Sequence, residues 1–95
     1  MILYVVSYQF VGDSFKDLVR EFINEPDKIT MDDFNRLLEA LGYTLRKKPG
    51  SHATYHKKGA PPITAPTPHK GKCIKSPYIK IVVKILKLED YLDGE

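Results

Sequence analysis

The sequence predicts an α+β protein, a three-stranded antiparallel sheet with helices on one of its faces in the order α-β-β-β-α, preceded by an extra N-terminal helix and a possible N-terminal strand. Three observations carry that expectation. Between residues 13 and 42 apolar side chains recur at helical spacing in two segments separated by Pro26. From Tyr43 to Ala65 the period shortens to two, with turn residues between the alternating stretches. After a loop rich in Pro, Gly and Lys, Ser76-Pro77 introduces a last apolar segment of helical period.

Residues 1–12 read as a leader or an edge strand, since Ile2, Tyr4, Val6 and Tyr8 alternate while Val5 breaks the alternation. The extra helix falls within 13–29: Asp13 or Ser14 can cap it, Phe15, Leu18, Val19, Phe22 and Ile23 share one side, and it ends before Pro26. The core of the domain runs from 30 to 92. Thr30 and Asp33 approximate a capping box, with Asp in place of the usual Glu. Met31, Phe34, Leu37, Leu38 and Leu41 then form a second stripe, and Gly42 supplies a left-handed stop.

In the sheet, Leu45, Ala53 and Tyr55 are expected to face the helices, which leaves Thr44, Arg46, Lys48, His52, Thr54 and His56 on the open face. Pro49-Gly50 and Lys57 to Ala60 are turns, and Ile63-Thr64-Ala65, bounded by prolines, is a short edge strand. Pro66 to Ser76 is a loop. Ser76 is expected to cap the last helix with Pro77 at its first position, and Tyr78, Ile81, Val82, Ile85 and Leu86 to form its buried side. Lys80, Lys84 and Lys87 follow one another on the other side.

Length and composition bound the function. At 95 residues there is room for one domain, and 42% apolar with 28% charged residues is too apolar for a disordered chain. A single Cys rules out an intrachain disulfide, and Met1 to Val6 is too short for a signal peptide or a membrane span. The expected location is the cytoplasm, with no membrane partner. Charge is the most informative feature: from Ala40 to Leu88 the chain has no Asp or Glu but holds 11 of the 15 Lys and Arg side chains and all three His. The remaining residues hold all 12 acids. Such segregation is the electrostatic footprint of a polyanion-binding surface, although a solvated lysine-rich face has the same composition.

His52, His56, His69 and Cys73 together resemble a zinc set only superficially. Four residues of strand span about 13 Å, beyond the reach of two zinc–nitrogen bonds, so no metal and no cofactor is expected. Two roles remain for the histidines. His52 follows Gly50-Ser51 beside Arg46 and Lys48, a position suited to a catalytic or recognition group, whereas His56 is equally well read as surface polarity.

Leu41-Gly42-Tyr43, a basic strand, Pro49-Gly50-Ser51-His52 leading into Tyr55, Thr64-Ala65-Pro66 shortly before Pro68-His69, and a final apolar helix follow one another in this chain. That succession resembles the HicA family of mRNA interferase toxins, over about Thr30 to Leu92. The resemblance implies a fold similar to the double-stranded-RNA-binding domain and a toxin of a type II toxin–antitoxin system. It also implies metal-independent endoribonuclease activity on mRNA and a HicB-like antitoxin as partner. The family's catalytic histidine falls on His52. Its second histidine motif falls on Pro66 to His69 with a shifted spacing, and residues 14–29 look like the leading helix of longer members.

The residues support that chemistry without the family. An imidazole can take the ribose 2′-hydroxyl proton, and Arg46, Lys47 and Lys48 can stabilise the charge that builds at phosphorus. Ser51, Thr54, His56, Lys57, His69, Lys80 and Lys84 are the further candidate RNA contacts. Two other functions fit the same pattern: a non-catalytic double-stranded-RNA-binding module, and a basic domain that docks an acidic protein.

Overall fold

Helical periodicity in the first part of the chain becomes two packed helices in the computed structural model, which describes residues 14–47, 52–69 and 71–93, with Lys47 as backbone only. Helix α1 covers 14–24 and buries Leu18, Val19 and Phe22. A short 3-10 turn at Pro26–Lys28 leads to α2, Met31–Ala40. The capping box forms as the sequence suggests: Thr30 Oγ1 accepts from the Asp33 amide at 3.1 Å, and Asp33 Oδ2 accepts from the Thr30 amide at 3.1 Å. At the other end Gly42 adopts φ 92°, and the amides of Gly42 and Tyr43 donate to the carbonyls of Glu39 and Leu38. The strand expected within 1–12 and the Asp13 cap lie outside the described residues.

Strands β1 (Thr44–Lys47), β2 (His52–Lys57) and β3 (Ala60–Pro66) form an antiparallel sheet in that order, giving an α+β protein with three helices. Its core-facing residues Ala53, Tyr55, Ile63 and Ala65 join the apolar sides of all three helices in one cluster. Phe34 connects the layers, its ring 6.1 Å from that of Phe22 in a stacked arrangement and 5.3 Å from that of Tyr55 edge-on. Tyr55 is fully buried, which its hydroxyl tolerates because it donates to Asn35 Oδ1.

Three expectations need correction. β3 is not limited to Ile63–Ala65 but extends over Ala60–Pro66, with a register shift between Tyr55 and Lys57 opposite Pro61 and Pro62. Prolines cannot donate to a ladder, yet an edge strand tolerates them through such an irregularity. The last helix, α3 (Ser76–Ile85), has Lys75 rather than Ser76 at its N-cap, with no side-chain cap. Pro77 is thus its second residue.

α3 also sits rotated from the expected orientation. Ile79 and Val82 are buried, with Val83 and Leu86 partly so, whereas Tyr78, Ile81 and Ile85 are 38%, 53% and 56% exposed. Anchors at both ends select this rotation: the Ile74 amide donates to the Ile29 carbonyl at 2.9 Å, and Leu88 is fully buried. Leu88 begins a 3-10 turn ending at Leu92, in which Tyr91 meets Phe15 edge-on at 5.1 Å.

Candidate nucleic-acid interface

Strand alternation and register decide what the open face displays. Arg46 pairs with Thr54, which pairs with Thr64; Thr44 pairs with His56; His52 pairs with Pro66. Paired residues share a face, so Arg46 is the diagonal neighbour of both His52 and His56, at about 7–8 Å. Thr44, Arg46, His52, His56 and Thr64 are exposed. Thr54 lies on this face but is only 8% exposed, and its hydroxyl meets that of Thr64 at 3.3 Å. As the central-strand residue between two neighbours it helps to hold the face together, so the expected direct RNA contact from Thr54 is corrected to a buried polar link between strands.

The other sequence candidates are distributed around this face. Lys57 stands at the opposite end of β2 from His52, its ammonium 5.5 Å from the Tyr43 ring centre. His69 is exposed in the loop after β3, and Lys80 and Lys84 are exposed on α3. Lys48, Ser51 and the Lys47 side chain lie outside the described residues. Ion pairs among the described residues lie elsewhere: Arg36 approaches Asp33 at 3.7 Å, and Lys28 approaches Glu25 at 3.4 Å. Among the described residues no ion pair engages Arg46, Lys80 or Lys84.

His52 and His56 are four residues apart along one strand, and no group of three or more His, Cys, Asp or Glu converges among the described residues. Among the same residues no helix is long and apolar enough to cross a membrane. Sequence reasoning missed two features. Thr64 joins the open face only once β3 is paired with β2, and a hollow forms from residues 66–69 and 71–78 together with Asp27.

No protein-family model, curated protein or solved structure matches the chain. The arrangement itself carries the chemistry. An exposed imidazole stands diagonal to a guanidinium on the open face of the sheet.

Proposed function

We propose that this chain is a metal-independent endoribonuclease of the HicA kind, the toxin of a type II toxin–antitoxin pair, with a sheet and helices arranged as in double-stranded-RNA-binding domains. The observation that carries the proposal is His52, exposed on the open face beside Arg46 in a stretch of chain without a single acid. In the reaction His52 takes the 2′-hydroxyl proton of a ribose, the 2′-oxygen bonds to phosphorus, and the bond to the 5′-oxygen breaks. The departing oxygen takes a proton from solvent. The products are a 2′,3′-cyclic phosphate and a 5′-hydroxyl. Arg46 stabilises the equatorial oxygens as charge builds on them. DNA escapes because it has no 2′-hydroxyl.

The partners of this reading are mRNA as substrate and a HicB-like antitoxin whose acidic surface would meet the same cations. Replacing His52 with Ala tests it. Cleavage of total RNA and growth arrest on expression should fall about 100-fold or more, as loss of an acid–base group does, while salt-sensitive RNA binding survives. Cleavage that continues undiminished in the variant contradicts the assignment. Chelation of divalent ions should leave the wild-type rate unchanged.

A further inference from the structure

A hollow of about 1090 Å³ opens between the end of β3, the loop that follows it and the first turn of α3. Its walls include Pro66, Pro68, Ile74, Pro77 and Tyr78, together with His69, Lys72 and Lys75 from the same loop. We propose that this hollow is a nucleobase subsite, which receives one unstacked base of the RNA strand whose phosphodiester lies at His52. The inference rests on the ribonuclease reading and adds to it where the strand is held.

Position is the first argument. Pro66 is both a wall of the hollow and the register partner of His52, so the subsite begins one strand spacing, about 5 Å, from the catalytic residue. The second argument is wall chemistry. Three prolines and an isoleucine make a largely apolar lining, and Tyr78 leaves more than a third of its surface exposed instead of burying its ring in the core. An exposed aromatic ring beside apolar walls is what single-strand binding sites offer a base, because every base stacks regardless of identity.

Charge is the third. His69, Lys72 and Lys75 are exposed on the loop and supply the cations that the adjoining phosphates need. The loop is held in shape by a turn in which the Lys72 amide donates to the His69 carbonyl at 2.9 Å, with Gly71 at φ 79°. One carboxylate lines the hollow, that of Asp27. It accepts hydrogen bonds from base N–H groups and repels phosphate, which assigns the backbone of the strand to His69, Lys72 and Lys75.

The experiment uses the full chain carrying His52→Ala, so that RNA stays intact, and a single-stranded oligoribonucleotide with abasic sites introduced one position at a time. Tyr78→Ala should weaken binding of the intact oligonucleotide about tenfold, and an abasic site at one position should cost the same. Combining the two should cost no more than either alone. Tyr78→Phe should bind as the parent does, which separates stacking from a folding defect. Cys73, the chain's only thiol, also lines the hollow, and RNA should slow its alkylation. The proposal is overturned if RNA binds but Tyr78→Ala and every abasic site change affinity less than twofold while alkylation of Cys73 is unaffected. If wild-type protein neither binds nor cleaves RNA, the ribonuclease reading falls with it; normal cleavage with an indifferent Tyr78 overturns the subsite alone.

Discussion

Tyr55 shows how one side chain couples the sheet to the helices. It is fully buried, touches Phe34 and donates its hydroxyl to Asn35 on α2. Burial, and secondarily the Glu39 carboxylate, pushes its hydroxyl up from 10.0 to about 12. The folded protein thus keeps this proton over a range in which the unfolded chain releases it. The contribution to stability is complete below pH 10 and declines as pH rises from there toward 12. Tyr55→Phe removes both the hydrogen bond and this pH dependence. At pH 7 the variant should be about 1 kcal/mol less stable, and its urea midpoint should approach the parent's as pH is raised through that window. Midpoints that stay a constant distance apart would show that Tyr55 does not titrate differently in the two states.

At the scale of elements, α3 is where packing chose among options that the sequence left open. Apolar residues occupy Tyr78, Ile79, Ile81, Val82, Val83 and Ile85, more than half its circumference, so several rotations satisfy the helical period. Ile79→Ala should cost about 2–5 kcal/mol in chemical denaturation, whereas Ile81→Ala should change stability by less than about 0.5 kcal/mol. Equal losses would mean that the helix is turned the other way. α1 and α2 were legible because independent signals agreed: a narrow apolar stripe, the Thr30–Asp33 box, Pro26 as a stop and Gly42 as an end. The open face was legible through alternation, which placed Arg46, His52 and His56 together. The length of β3 was not, because Pro61 and Pro62 read as terminators until an edge position admitted them. Nor was the hollow, because nothing in the sequence brings Asp27 to residues 66–69 and 71–78.

At the scale of the whole molecule, charge is partitioned between layers. α1, α2 and the last 3-10 turn carry more than half of the acids, while the sheet, the loop after it and α3 carry most of the cations. A net charge of +3 understates the field that an approaching RNA meets, because the acids and most of the cations lie in different parts of the chain. Single-stranded RNA that contacts this surface releases counterions in proportion to the phosphates neutralised, about 0.7 in the slope of log K against log salt for each. Lys80→Ala with Lys84→Ala, measured in the His52→Ala background, should reduce that slope by about 1.4 if both ammonium groups meet phosphate. Arg36→Ala removes the same kind of charge from the acidic side, where Asp33 already accompanies it, and should leave the slope unchanged. A slope that falls equally for both substitutions would reveal attraction by net charge alone, and one that ignores Lys80 and Lys84 would confine the RNA path to the sheet and the loop.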